Sequence, residues 1–259
     1  MGMLDGRKGL VFGVANDRSI AWHIAQALMA EGATCGFVHL PGGKNLHRVN
    51  KALESGGVTD AWLHACDASK DEDLDATFAA ARDHFDSIDF LIHSIAYADR
   101  QYLRPGKFVD TPRDVFAQAL DISAYTLIAM ARRAKEMMPR GGSIVGMSYY
   151  GSQKVVPGYN VMGVAKAALE ANTRYLAAEL GRHGIRVNTI SAGPIRTLSS
   201  MAVGGVDDMF DWVERKAPLQ RNVDATEVGR TALYLVSDLS SGVTGENIYV
   251  DSGYNVIGF

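Results

Sequence analysis

The chain has 259 residues, 47% of them hydrophobic and 21% charged, and a formal net charge of -3. That profile excludes a disordered, collagenous or coiled-coil protein and supplies enough chain to bury a large core. The mild acidity leaves no electrostatic footprint for nucleic acid or an anionic membrane surface, and two cysteines, Cys35 and Cys66, are too few for a disulfide framework.

In chain order, Gly9–Gly13 reads as a buried strand. Ser19–Glu31 reads as a helix, with Ile20, Ile24, Ala27 and Leu28 at helical spacing. Thr34–Leu40 is predicted as a second strand, Asn45–Glu54 as a helix and Ala61–Cys66 as a third strand. Ser69–Lys70–Asp71–Glu72 has the pattern of a capping box for a helix over Asp73–Phe85. Asp89–Ser94 is the fourth strand, and one long helix is predicted over Arg113–Met138. Ser143–Ser148 is the fifth strand, Val161–Gly181 a helix and Ile185–Ser191 the sixth strand. Pro194–Pro218 reads as less regular, Ala225–Ser237 as a helix and Asn247–Val250 as a last strand. Strands alternating with helices in this way predict an α/β protein: a single doubly wound Rossmann-type domain over 1–259, its parallel sheet flanked by helices on both faces. Such a sheet binds ligands beyond the carboxyl ends of its strands, so the loops after strands one, three, four, five and six are expected to line the site.

The first strand-to-helix turn, Gly13–Val14–Ala15–Asn16–Asp17–Arg18–Ser19–Ile20, has the makings of a phosphate cradle. Gly13 permits close backbone approach, and Ser19 stands where a helix start favours a pyrophosphate. Ala15 and Arg18 replace two glycines of the usual GxGxxG, so the turn alone is a weak dinucleotide signal, and Ser19 also reads as a plain helix cap. No acid follows strand two to take a ribose 2′-hydroxyl; Lys44 and Arg48 lie just beyond, as a phosphate partner or as a solvated helix start. With Ser69 in the cap position, Asp67 is left to bond an adenine amino group. Tyr159 and Lys166, seven positions apart, fall on one helix face, where the ammonium favours a phenolate and can hold a ribose hydroxyl. Tyr149 leaves strand five at the expected site, while Tyr150 reads as packing.

The Gly13 turn, Asp67, the loop after strand four, the Tyr–Lys pair and Ser191–Ala192–Gly193–Pro194–Ile195–Arg196–Thr197 resemble the short-chain dehydrogenase/reductase superfamily. Ordinary members carry Tyr-x3-Lys, where Met162 stands four before Lys166. They also carry Asn-Ala-Gly after strand four, where this chain has His93–Ser94–Ile95–Ala96, and a helical Asn where it has Asp121–Ile122–Ser123. Those departures, with Tyr-x6-Lys and Tyr-Asn-Val-Met-Gly-x-Ala-Lys, are similar to the enoyl-acyl carrier protein reductases of type II fatty-acid synthesis, from Met1 to about Gly253.

The resemblance implies reduction of a trans-2-enoyl thioester by NADH or NADPH. Hydride reaches the β-carbon and charge moves to the thioester oxygen as an enolate, which is protonated at the α-carbon. It makes Tyr159 the oxyanion donor, Lys166 the anchor of the nicotinamide ribose, and Tyr149 a second tyrosine for substrate positioning or proton delivery. Cofactor contacts fall on Gly13, Ser19, Ile20, Asp67, Ala68, Ile95, Ile195, Arg196, Thr197, Leu198 and Ser199, with Leu40 beside the adenosine ribose. Because Leu40 offers no positive charge, NADH is expected ahead of NADPH. Substrate contacts fall on Ala98, Tyr149, Tyr159, Met201, Met209 and Phe210. Leu198–Met201, Val203 and Met209–Trp212, broken by Gly204–Gly205, read as a mobile lid at about 195–218, or as an ordinary core-facing helix. Implied partners are acyl carrier protein, received on a basic rim of Arg196, Arg215 and Lys216, and further copies of the chain in a homotetramer.

No metal is expected, since the seven histidines show no ligand spacing. Ser148 is outside any GxSxG, which argues against a serine hydrolase. A ketoacyl reductase of the same superfamily and a non-catalytic dinucleotide-binding protein are the competing readings; Tyr-x6-Lys weighs against the first and the Tyr–Lys pair against the second. The few cysteines fit a reducing compartment, Met1–Lys8 lack the apolar stretch of a signal peptide, and no apolar run approaches membrane-spanning length. The expected setting is a bacterial cytoplasm.

Overall fold

The computed structural model describes residues 2–198 and 200–258. Its seven strands are β1 (Lys8–Phe12), β2 (Thr34–His39), β3 (Leu63–Ala65), β4 (Phe90–His93), β5 (Gly142–Ser148), β6 (Ile185–Ala192) and β7 (Asn247–Val250). They form one sheet in the order β3-β2-β1-β4-β5-β6-β7, every pairing parallel. Among the described residues the α-helices are α1 (Ile20–Ala30), α2 (Gly43–Ser55), α3 (Asp71–Phe85), α4 (Arg113–Leu120), α5 (Thr126–Lys135), α6 (Val161–Leu180), α7 (Val206–Lys216) and α8 (Ala225–Val236).

Successive strand residues point to opposite faces. Leu10, Phe12, Leu91 and Ile144 face one apolar cluster, which includes Leu74 and Phe78 of α3, Leu127 of α5 and Leu169 of α6. Val11, Phe90, Ile92 and Val145 face the other, with Trp22 and Ile24 of α1, Val49 of α2 and Val228 of α8. The predicted doubly wound domain is therefore the one observed. Strand order reverses between β1 and β4, which opens a crevice at their carboxyl ends.

Four local expectations are corrected. Ser69 caps nothing: α3 begins two residues earlier than predicted, behind Lys70, and the Ser69 hydroxyl donates to Asp67 Oδ1 at 2.7 Å. The acidic first turn Asp71–Glu72–Asp73 complements the helix dipole in place of a cap. The long helix predicted over Arg113–Met138 is interrupted by a π-helical turn, Asp121–Tyr125. That turn is held from outside: Thr126 Oγ1 donates to the Ile122 carbonyl at 2.7 Å, and Asn172 Nδ2 to the Ala124 carbonyl at 3.0 Å. The segment 194–218 contains a regular helix, α7, which starts behind Gly205 at φ 79° and buries Val206, Phe210 and Val213. Tyr159 precedes α6 instead of riding on it, in a turn whose Gly158 and Asn160 have φ of 84° and 46°.

Candidate active site

A cavity of about 710 Å³ occupies the crevice at the strand-order reversal. Gly13, Ser19 and Ile20 line one side, Ile95 and Ala98 follow β4, and Tyr149, Tyr159 and Lys166 stand opposite with Ile195, Thr197, Leu198 and Met209. The loops after β1, β4, β5 and β6 thus meet as expected from the sequence, whereas the loop after β3, also expected there, does not reach the cavity wall. Ser94, Met162, Gly193 and Val203, which the sequence placed in motifs or in the lid without a contact role, also line the cavity, as does Met147, which carried no sequence signal.

The first turn is built for close approach. Gly13 has φ 103°, and a Cβ there would overlap the Ser94 carbonyl. Ser19 lies just before α1, yet its hydroxyl turns back to accept from the Ala15 and Asn16 amides, each at 3.0 Å. The plain-cap reading therefore fails, and no side chain caps the α1 amino terminus. A tight turn and an uncapped helix start on one cavity wall fit the pyrophosphate of a dinucleotide.

Leu40, Asp67 and Ala68 stand beyond β2 and β3, outside the cavity wall. Leu40 is largely exposed, with no acid at the end of β2. Asp67 is already engaged: it accepts from the Ser69 amide and hydroxyl and lies 3.5 Å from Lys70 Nζ, and those bonds hold its carboxyl below the usual carboxylate range.

The π-helical turn sets the loop after β4. Buried Ser123 accepts from the Tyr97 amide at 2.9 Å and donates to the Tyr97 carbonyl at 3.1 Å. His93 is buried beneath, with Nε2 2.7 Å from Thr126 Oγ1. Since that hydroxyl gives its proton to Ile122, His93 Nε2 is the donor. Burial, then the nearby Lys166 charge, push the imidazole down to about 3, so it is neutral at physiological pH.

Tyr159 is aimed by its turn. Asn160 Nδ2 donates to the Tyr102 and Arg104 carbonyls at 2.6 and 2.7 Å, which anchors the strained residue to the loop after β4. Burial first, then Tyr149 and Glu170, push the Tyr159 phenol far up. Tyr159 is thus a neutral O–H donor, and the phenolate expected from a nearby ammonium is corrected: burial, Tyr149 and Glu170 all favour the protonated phenol. Tyr149 is likewise pushed up by burial, and its hydroxyl donates to the Met209 sulfur at 2.8 Å. Lys166 is buried, donates to the Met147 carbonyl at 2.7 Å, and is lowered to about 8 by desolvation. One ammonium hydrogen is spent on Met147, so the other two remain for hydroxyl acceptors in the cavity.

Residues 13–255 match the sequence model of the family described as enoyl-(acyl carrier protein) reductase. The chain belongs to the enoyl-acyl carrier protein reductase family. It is 51% identical over 257 residues to the NADH enoyl-acyl carrier protein reductase of Nostoc sp., covering 98% of each chain. It is 48% identical over 254 residues to the NADPH enzyme of Staphylococcus aureus, again with 98% of each covered. The Bacillus cereus enoyl-acyl carrier protein reductase, crystallised with NADP+ and an indole naphthyridinone, superposes with a TM-score of 0.96 at 47% identity over 100% of both chains.

Within this reductase frame several expected site residues stand apart. The Arg196 guanidinium turns away from the cavity, pairs with Asp207 at 2.8 Å and lies 4.4 Å from the Phe210 ring centroid. Phe210 consequently faces a second, smaller cavity of about 420 Å³, together with Arg18 and Asp224. Met201 is exposed, off the main cavity wall. Ser199 lies outside the described residues. Of the basic rim, Arg196 is neutralised by Asp207, and Lys216 packs over Trp212 at 5.2 Å. Among the described residues no three His, Cys, Asp or Glu cluster as metal ligands, and no helix is long and apolar enough to cross a membrane.

Proposed function

We propose that this reductase acts on trans-2-enoyl thioesters of acyl carrier protein and takes its reducing equivalents from NADH. The observation that carries the reading is one cavity that joins the Gly13–Ser19 turn to Tyr149, Tyr159 and Lys166. When bound, the reduced nicotinamide supplies a hydride to the substrate β-carbon. The chain does the rest. The Gly13 turn and the α1 amino terminus hold the pyrophosphate. Lys166 gives its two remaining donors to ribose hydroxyls. Tyr159, neutral and fixed by the Asn160 turn, directs its O–H at the thioester oxygen, where negative charge develops. Tyr149 packs against Tyr159 and positions the acyl group, with Ala98 on the wall after β4. Ile195, Thr197 and Leu198, which line the cavity, supply backbone and hydroxyl contacts to the cofactor.

Residues 195–218 act as the lid. Gly205 precedes α7, Met209 closes on Tyr149, and the Gly204 amide donates to the Leu103 carbonyl at 2.8 Å, a few contacts that can open together. NADH is favoured over NADPH because Leu40 brings no charge to the end of β2. A homotetramer is supported by Phe116, Tyr125, Ile128 and Tyr175, apolar or aromatic side chains left exposed on the α4–α6 layer. A bacterial cytoplasmic setting is supported by the free thiols of buried Cys35 and Cys66.

The test is to follow NADH absorbance with crotonyl thioester and, separately, with acetoacetyl thioester. Oxidation with the first is expected. Oxidation with the second alone would overturn the reading in favour of a ketoreductase, and NADH binding without turnover of either would leave a dinucleotide-binding protein.

A further inference from the structure

Glu170 is buried on α6, four residues after Lys166 and so on the same helix face. A carboxylate taken out of water is costly unless it is well bonded, and here three donors converge on one oxygen. Ser148 Oγ donates to Glu170 Oε1 at 2.6 Å, Ser152 Oγ at 2.5 Å and Asn247 Nδ2 at 3.1 Å. The three come from the end of β5, the turn after it and the far strand β7. Two of them flank Tyr149 in sequence.

The neighbouring tie runs parallel. Lys166 donates to the Met147 carbonyl, and Glu170 accepts from Ser148, so consecutive residues of β5 are bonded to consecutive turns of α6. Tyr149 leaves the strand between two serines that share one carboxylate oxygen. A buried ionic group contributes little to stability compared with an apolar residue of similar size. The value of Glu170 therefore lies in what it holds and in the charge it brings beside Lys166.

We propose that Glu170 is a positioning residue of the reductase reaction: its buried carboxylate fixes the Tyr149 strand end against α6 and keeps the Lys166 ammonium charged. The inference rests on the function proposed above. Desolvation lowers Lys166, and the Glu170 charge acts in the opposite sense. The other titratable groups around this pair are His93 from β4, Tyr159 with its neighbour Tyr149 across the cavity, and Tyr249 from β7, with buried Asp251 beside Tyr149 and Tyr249. His93 is neutral, and burial keeps all three phenols protonated near neutral pH; among the described residues it is the Glu170 charge that opposes the desolvation of Lys166.

The test uses the full chain and NADH titrations from about pH 6 to about pH 10, alongside turnover of crotonyl thioester. Wild-type affinity should fall as pH rises through the Lys166 value near 8. In Glu170→Gln, and in Glu170→Met as a second neutral variant of similar length, the midpoint should move down by about one pH unit, which is roughly a tenfold affinity loss at a fixed alkaline pH. Glu170→Asp keeps the charge and loosens the packing. It should hold the wild-type midpoint while KM for the crotonyl thioester rises, because Tyr149 is freed. Neutral variants with an unmoved midpoint, or a wild-type affinity flat with pH, would overturn the proposal. Should wild type bind NADH but reduce no enoyl thioester, the functional reading fails, whereas the binding midpoints still decide the role of Glu170.

Discussion

The rings of Tyr149 and Tyr159 meet edge to face, their centroids 4.8 Å apart and their planes inclined at 73°. The contact leaves the two hydroxyls with different tasks. Tyr149 spends its proton on the Met209 sulfur, whereas Tyr159 has its hydroxyl in the cavity with no such tie. Tyr159→Phe should therefore leave the NADH dissociation constant near wild type and lower kcat about 10²- to 10³-fold, the size of one lost oxyanion donor. Tyr149→Phe should cost far less in kcat and act mainly on KM, through the loosened lid. Equal losses in the two variants would mean that Tyr159 is not the main donor.

Gly13 and Ser94 are the second pair on which the site depends. Gly13 has φ 103°, and a Cβ there would run into a backbone carbonyl, which cannot swing aside as a side-chain tip does. Gly13→Ala combines a strained φ with separation of β1 from the loop after β4. The expected cost is about 2 kcal/mol or more, read as a lowered melting temperature, with NADH affinity lost in parallel. A variant that melts like wild type and still binds NADH would show that the turn has slack.

The sheet was legible in the sequence because its signals are local and repeated. Leu10, Val11 and Phe12 announce a strand buried on both faces, and helices between successive strands leave parallel pairing as the short solution. The site was legible by residue type at Gly13, Tyr149, Tyr159 and Lys166. Its geometry was less so. Helical spacing placed Tyr159 on α6, but the positive φ of Asn160 depends on the Tyr102 and Arg104 carbonyls, which are remote in sequence. The π-helical turn at Asp121–Tyr125 likewise depends on partners outside it, Asn172 and Tyr97. The helix α7 was legible only as the alternative to a lid: Val206, Phe210 and Val213 have helical spacing, while Gly204–Gly205 reads as a hinge. Glu170 stands four places after Lys166, yet spacing alone cannot tell a buried carboxylate from a solvated one.

Leu40 gives a test of cofactor choice. It follows β2 directly, with its side chain largely in solvent, where an acid would bond a ribose 2′-hydroxyl and repel a 2′-phosphate. Leu40→Asp should raise the ratio of NADPH to NADH dissociation constants about tenfold, and Leu40→Arg should lower it by a similar factor. Ratios unchanged in both variants would place the adenosine ribose elsewhere.

The last prediction concerns acid stability and the amino terminus of α8, which packs against α1 beside the cofactor turn. Asp224 accepts from the Thr226 amide at 2.8 Å, and Glu227 reaches back to the Asp224 amide at 2.9 Å, completing a capping box. Arg221 adds two bonds to the same carboxylate, at 2.7 and 2.8 Å. Those bonds, Arg221 foremost, pull Glu227 from 4.5 down to about 2, and the Thr226 hydroxyl and amide lower Asp224 in the same direction. A carboxylate whose folded value is depressed stabilises the fold above its unfolded value and loses that contribution as pH falls through its folded one. The stability gap between wild type and Glu227→Gln should therefore be complete at about pH 6 and shrink as pH drops from 4.5 towards 2. Asp224→Ala, which removes the cap itself, should cost about 1 kcal/mol at neutral pH, or about 2–4 °C in melting temperature for a chain of this size. Thermal melts of the three proteins at neutral and acid pH check both. A gap that widened on acidification would contradict the assignment, because it would require Glu227 to be held protonated in the fold.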